Sequence, residues 1–178
     1  MPVRPWTTTL SPDGNHLAIS TFDADADAQT ETVALGDSPA HLSDGLWVID
    51  LQTGEATRLL GEVTVGVAWN AQSTKLLTRT AVAGPGVWRV FGLDGSTNGT
   101  DEHEITPGGL SSFYLQFWDQ FLQSQTVWSP DGTQFLYSPS TNSGADAIFI
   151  QSANENGNPT LLAPGDIAFF SPLPNGVS

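Results

Sequence analysis

Short apolar runs recur along the chain, and glycine, proline, asparagine or aspartate bounds most of them. The runs are rich in β-branched and aromatic side chains, as is typical of strands. Representative runs are Leu46–Ile49, Val63–Trp69, Val87–Val90 and Ala147–Ile150. Outside residues 112–125, no extended stretch keeps a helical period without an interrupting glycine or proline. The pattern predicts an all-β protein.

A motif made of a tight turn and a short strand repeats along the chain. Ser-Pro-Asp-Gly begins at residue 11 and again at residue 129, and an apolar strand follows each copy. A degenerate copy, Asn-Ala-Gln-Ser, begins at residue 70, and a shortened Ser-Pro begins at residue 171. Proline fixes φ at the first corner of such a turn, and glycine adopts the positive φ that the reversal needs. The predicted turn residues are Asp13, Gly14, Asp131 and Gly132.

The same parts follow each motif in the same order: a strand, a loop, an apolar strand, a second turn and a closing strand. Four strands joined by hairpins make one blade of a β-propeller. The predicted fold is therefore all-β, a partial β-propeller of about three four-stranded antiparallel blades plus the first strand of a fourth. The predicted blades are residues 7–61, 62–108 and 109–164, and residues 165–178 begin the next. Residues 23–44 form an insertion in the first blade.

The repeat also predicts which side chains are buried and which are exposed. Equivalent positions before each motif should pack between successive blades, and these are Leu10, Trp69, Trp128 and Phe170. Three blades and one strand do not close a ring, so we expect an N-terminal segment with the missing blades, or self-association, to complete it. The candidates for the exposed apolar face of the first blade are Leu17, Ile19, Trp47 and Ile49, and some of these are expected to point into the second blade instead.

These residues resemble the repeat of TolB-type propellers, which is PD40-like or WD40-like. The resemblance rests on the Ser-Pro-Asp-Gly turns, on the Leu-Ala-Ile-Ser and Phe-Leu-Tyr-Ser strands that follow them, and on Leu-Trp-Val-Ile-Asp-Leu at residues 46–51. It covers residues 6–172. It implies a non-catalytic scaffold for a protein or small ligand, in a periplasmic or cell-surface location. The alternatives are the propeller of a prolyl-oligopeptidase-like hydrolase and a calcium- or carbohydrate-dependent enzyme.

Charge excludes several classes of partner. The chain contains five Lys and Arg and nineteen Asp and Glu, which gives a net charge of −14. Such a field repels nucleic-acid phosphates and anionic lipids, so we do not expect nucleic-acid binding. No stretch approaches the roughly 18 apolar residues that a membrane span needs, so membrane insertion is not expected either. A protein partner remains the expectation. The chain contains no cysteine, which excludes thiol catalysis and thiolate metal sites.

Two segments carry candidate binding chemistry. Asp23, Asp25 and Asp27 alternate like the first ligands of a calcium loop, but the glycine and the closing glutamate of such a loop are missing. A solvated acidic loop is the favoured interpretation, so no cofactor is expected, and calcium bound by these aspartates is the alternative. Trp118, Asp119 and Gln120 lie in an aromatic segment that could form a binding platform or pack between blades.

No catalytic residue is predicted. His16, His41 and His103 are the three histidines, and each belongs to a different repeat. The chain has no Gly-x-Ser-x-Gly sequence, which marks the nucleophile of many hydrolases. The sequence therefore favours a non-enzymatic role.

Overall fold

A computed structural model describes residues 4–22, 32–34, 45–80, 88–93, 101–105, 126–138, 147–153, 159–165 and 168–171. These residues form strands and turns, and no helix occurs among them. The strands are β1 (Arg4–Leu10), β2 (His16–Phe22), β3 (Thr32–Ala34), β4 (Gly45–Asp50), β5 (Glu55–Leu60), β6 (Thr64–Trp69), β7 (Lys75–Thr80), β8 (Trp88–Gly92), β9 (Asp101–Ile105), β10 (Gln134–Tyr137), β11 (Ala147–Ser152) and β12 (Thr160–Pro164).

The strands form three antiparallel sheets that follow one another along the chain. Sheet 1 has the order β1-β2-β4-β5-β3, sheet 2 has β6-β7-β8-β9, and sheet 3 has β10-β11-β12. Residues 126–128 lie beside β10, where Trp128 forms a bridge with Phe135 and the Leu136 amide donates to the Val127 carbonyl at 2.9 Å. The all-β class and the succession of hairpin-linked sheets are confirmed. The blade boundaries given above remain a prediction.

The insertion in the first repeat contributes a strand that the sequence did not indicate. Strand β3 pairs antiparallel with β5, and Thr32, Val33 and Ala34 lie opposite Thr57, Ala56 and Glu55. Sheet 1 therefore has five strands where four were predicted. Three residues inside an acidic insertion are too few to show a strand pattern, because their pairing depends on the edge of β5 rather than on their own propensity.

The three turns have the same backbone geometry, including the degenerate one. The amides of Gly14, Ser73 and Gly132 each donate to the carbonyl three residues earlier, at 2.9, 3.0 and 2.9 Å. Their φ angles are 75°, 59° and 68°. The predicted positive φ of Gly14 and Gly132 is confirmed, and Ser73 occupies the equivalent position. Asn-Ala-Gln-Ser is therefore a true copy of the turn.

Different side chains satisfy the same backbone groups in these turns. In the first turn the Ser11 hydroxyl accepts the amide of His16, while the Asp13 carboxylate accepts the amide of Asn15. In the second turn the side-chain oxygen of Asn70 accepts both equivalent amides, those of Thr74 and Lys75, each at 2.9 Å. One asparagine thus replaces a serine and an aspartate. This substitution explains why the turn survives without the Ser-Pro-Asp-Gly sequence.

Tryptophans join successive sheets. The indole N–H of Trp69 donates to the Thr9 carbonyl of sheet 1 at 3.2 Å, and that of Trp128 donates to the Ala68 carbonyl of sheet 2 at 3.0 Å. Thr9 and Ala68 are equivalent positions in the repeat. Trp128 is 1% exposed and lies in an apolar cluster with Trp88, Phe135 and Tyr137. The predicted burial of Trp69 and Trp128 between sheets is confirmed.

Two other predicted inter-blade positions differ from the tryptophans. Leu10 is 55% exposed, so its predicted burial is wrong. Trp69 and Trp128 are buried because each packs on the sheet before it, whereas Leu10 ends the first strand of sheet 1, and the described residues contain no preceding sheet. Phe170 is half-buried rather than buried, and its amide donates to the Thr126 carbonyl at 2.9 Å.

Two of the four candidates for the exposed face of the first blade, Trp47 and Ile49, are buried. Trp47 is 0% exposed and Ile49 is 6% exposed, and both belong to an apolar cluster with Ala56. Leu17 and Ile19 are half-buried and pack against this cluster from β2, where they lie opposite Ile49 and Trp47. The apolar surface on which the prediction of self-association partly depended is therefore smaller than expected, because only Leu17 and Ile19 are partly exposed.

Candidate functional site

A pocket lies where β1, β6 and the segment 126–128 end and the three turns begin. Its volume is about 330 Å³. Each sheet contributes residues from the same part of the repeat, because these residues align with one another when the sequences of the three turns are aligned. The lining residues are Thr9, Leu10 and Pro12 from sheet 1, Ala68, Trp69 and Ala71 from sheet 2, and Thr126, Trp128, Ser129 and Pro130 beside sheet 3.

The lining of the pocket is uncharged. None of its residues has an ionisable side chain, and the hydroxyls of Thr126 and Ser129 are hydrogen-bonded within the protein. The Thr126 hydroxyl accepts the Trp128 amide at 3.1 Å, and the Ser129 hydroxyl donates to Asp131 at 2.6 Å. The Leu10 side chain, which is 55% exposed, forms part of the wall. The pocket therefore offers apolar surface and shape rather than charge to a ligand.

Contacts between neighbouring turns hold the rim of this pocket. The Asp13 amide of the first turn donates to the Ser73 hydroxyl of the second at 3.0 Å. The Gln72 side-chain amide of the second turn donates to the Pro130 carbonyl of the third at 2.8 Å. Each turn thus fixes the next, and the spacing of the lining residues depends on all three turns.

The turn aspartates are held in their charged form. Hydrogen bonding from the Ser11 hydroxyl, followed by bonding from the Asn15 amide, lowers the pKa of Asp13 from 3.8 to about 2. The hydroxyl of Ser129 and the amide of Thr133 likewise lower the pKa of Asp131 from 3.8 to about 2. Both carboxylates are exposed. Their role is to order the turns, which agrees with their prediction as structural residues.

The two aspartates predict a loss of stability in acid. A carboxylate whose pKa is lower in the folded state stabilises that state above its unfolded pKa, and this contribution is lost as the pH falls through the folded pKa. We expect the free energy of unfolding to fall between about pH 4 and pH 2, more steeply in the native protein than in a protein carrying Asp13→Asn and Asp131→Asn. Urea unfolding at several pH values measures both slopes. Equal slopes would contradict the roles assigned to these carboxylates.

The predicted ligand-binding and metal residues lie outside the described residues. These are Trp118, Asp119 and Gln120 in the aromatic segment, and Asp23, Asp25 and Asp27 in the insertion. Within the described ranges, no group of three or more His, Asp or Glu could hold a metal ion. The same ranges contain no helix that is long and apolar enough to cross a membrane. Sequence reasoning missed the pocket, although its repeat alignment does bring Leu10, Trp69 and Trp128 to equivalent positions.

The comparisons with known proteins identify the fold. No protein-family model matches the chain, and no curated protein matches it in sequence. A prolyl endopeptidase structure aligns with 92% of this chain at a TM-score of 0.53 and 16% identity. The β-propeller domain of the Trilobed protease from Pyrococcus furiosus aligns with 90% of it at a TM-score of 0.50 and 16% identity. The chain has a β-propeller fold.

The propeller covers only part of the proteins that it resembles. It spans 22% of the prolyl endopeptidase chain and 43% of the Trilobed protease propeller. TolB from Acinetobacter baumannii aligns with 93% of this chain and 44% of its own, at 15% identity and a TM-score of 0.48. The alignments with the prolyl endopeptidase and with the Trilobed protease propeller confirm the propeller fold that the resemblance to TolB-type repeats implies. At these identities the likeness concerns the fold, on which many activities occur.

Proposed function

We propose that this propeller is a non-catalytic scaffold that binds an uncharged, apolar group of a protein or small ligand in the pocket between its three turns. The observation that carries the proposal is the lining itself. Three sheets contribute equivalent residues to one cavity, and the wall contains leucine, proline, alanine and tryptophan without an ionisable group. Pockets of about 300–1,000 Å³ with mostly apolar walls are the usual size and character of small-ligand sites.

The exposure of Leu10 supports this role. A leucine that is 55% exposed at the mouth of a cavity has apolar area that a ligand could cover. Removing such area from water contributes about 25 cal/mol per Å², so even one side chain can contribute to affinity. The contacts from Ser73 to Asp13 and from Gln72 to Pro130 preorganise the rim, which lowers the cost of binding.

The neutral dye Nile red tests the proposed site. We expect saturable binding with a blue-shifted emission, and a decrease in affinity of about tenfold or more in Leu10→Asp, because a carboxylate at the mouth would require desolvation. Leu51→Asp is the matched control, since Leu51 is 48% exposed in the turn between β4 and β5 and is not part of the lining. Equal binding to both variants would contradict the assignment of the pocket.

A second candidate function is the propeller of a serine hydrolase. It is favoured by the alignment with prolyl endopeptidase over 92% of this chain, although the likeness concerns the fold. A fluorophosphonate probe applied to the natural full-length polypeptide separates the two functions, because it labels an activated serine nucleophile. Covalent labelling would support the hydrolase, and its absence alongside Nile red binding would support the scaffold.

The resemblance to TolB-type repeats further supports an extracytoplasmic location as part of the proposal.

A further inference from the structure

The outer edges of sheets 1 and 3 are equivalent in the repeat but differ in what covers them. In sheet 1 the closing strand β5 pairs with β3 along its outer edge, and Ala56, Thr57 and Arg58 of β5 are buried. In sheet 3 the closing strand is β12, and every residue from Thr160 to Pro164 is exposed. Within the described part of the chain, no strand lies outside β12. The outer edge of sheet 1 is thus paired with a fifth strand, whereas the equivalent edge of sheet 3 is exposed.

The side chains of β12 are those of an interaction surface rather than of a solvated edge. Leu161 is 62% exposed and Leu162 is 57% exposed. Phe149, which lies opposite Leu161, packs against the core cluster. Successive strand residues point to opposite faces of a sheet, so the two leucines present apolar surface on both sides of the edge. Natural proteins usually place lysine or another charge on an exposed edge strand, and β12 has none.

Charge indicates what kind of segment fits this edge. Arg4, Arg58, Lys75, Arg79 and Arg89 are the only lysine and arginine residues, so residues 90–178 contain neither. The acidic residues of that half are Asp94, Asp101, Glu102, Glu104, Asp119, Asp131, Asp146, Glu155 and Asp166. Glu155 and Asp166 flank β12 in the sequence. A second copy of the chain would bring like charges together, whereas a basic segment would be attracted.

We propose that β12 binds an extended segment of a partner protein, apolar at its centre and flanked by Lys or Arg, which adds to sheet 3 as β3 adds to sheet 1. Strand addition gains affinity from main-chain hydrogen bonds, and specificity from the side chains beside them. Pro159 precedes the strand and Pro164 is its last residue, and because neither has an amide hydrogen, only residues 160–163 have amides that could donate to an added strand. Four residues are enough, because β3 pairs through three.

The test uses a fluorescent peptide, Lys-Lys-Thr-Val-Thr-Val-Thr-Lys-Lys, and fluorescence anisotropy with the whole chain. We expect saturable binding that weakens by about tenfold or more when the lysines are replaced by glutamates. N-methylation of alternate central amides removes donors without changing charge, and we expect a similar loss. Equal binding of the lysine and glutamate peptides, or no binding of the lysine peptide, would overturn the proposal.

Protein variants locate the site. Leu161→Ser with Leu162→Ser removes the exposed apolar surface, and we expect about tenfold weaker binding of the lysine peptide. Leu51→Ser is the control because Leu51 is also exposed but lies at the turn after β4. Unchanged binding to the double variant would overturn the proposal. Sedimentation velocity provides a further outcome: a dimer of the native chain that the double variant dissociates would show that a second copy covers β12 instead.

Discussion

Replacing Trp128 with alanine is expected to reduce the free energy of unfolding by about 3–5 kcal/mol, the range for removing a large buried ring. The indole is 1% exposed and makes an edge contact with the Phe135 ring at a centroid distance of 5.7 Å. Its N–H donates to the Ala68 carbonyl, which belongs to the preceding sheet. The substitution therefore opens a cavity at the junction of two sheets and leaves a buried carbonyl without this donor.

Trp128→Phe provides the matched control, and urea unfolding measures both variants. Phenylalanine keeps an aromatic ring at the junction but cannot donate to Ala68, so its loss should be clearly smaller than that of alanine. A loss of less than about 1 kcal/mol for Trp128→Ala would contradict the burial of this ring between sheets.

Replacing Gly45 with alanine is expected to be similarly damaging, with a loss of about 3–5 kcal/mol from backbone strain and steric overlap together. Gly45 begins β4 with a φ of 133°, a region that residues with a Cβ rarely adopt. An added Cβ would overlap the carbonyl oxygen of Leu60, which is backbone and cannot rotate away. The overlap would separate β4 from β5 at the point where the two strands should pair.

Gly54→Ala separates the two contributions. Gly54 has a positive φ of 73°, but an added Cβ would meet nothing within 4 Å. The control therefore carries the conformational cost alone, which is about 1–2 kcal/mol. Thermal and urea unfolding of both variants should give the larger loss for Gly45→Ala. Equal losses would show that the approach of Leu60 to Gly45 is not as close as the structure has it.

The local parts of the fold were predictable because local chemistry determines them. Ser-Pro-Asp-Gly specifies its own turn, and the observed φ of Gly14 and Gly132 follows from it. The second turn was harder to predict because Ser73 adopts a positive φ without being glycine, with Asn70 providing the bonds that order the turn. In that turn, the position within the repeat was informative, whereas the residues themselves differ from Ser-Pro-Asp-Gly.

The errors concern contacts between distant parts of the chain. Leu10 aligns with Trp69 and Trp128 but is exposed, since burial at this position depends on a preceding sheet. Trp47, a candidate for the exposed face of the first blade, is fully buried. The pairing of β3 with β5 joins residues more than twenty positions apart, so no local sequence pattern predicts it. The pocket likewise forms where three distant turns come together. The equivalence of its residues could be predicted from the sequence, but their proximity in space could not.

A crystal structure that resolves residues 9–16, 68–75 and 127–134 tests the central claim, that these segments are equivalent parts of successive propeller blades. We expect the three turns to superpose, with a positive φ at Ser73 as at Gly14 and Gly132. We also expect the indoles of Trp69 and Trp128 to donate to the carbonyls of Thr9 and Ala68. A negative φ at Ser73, together with both indoles on the outer rim, would contradict the propeller assignment.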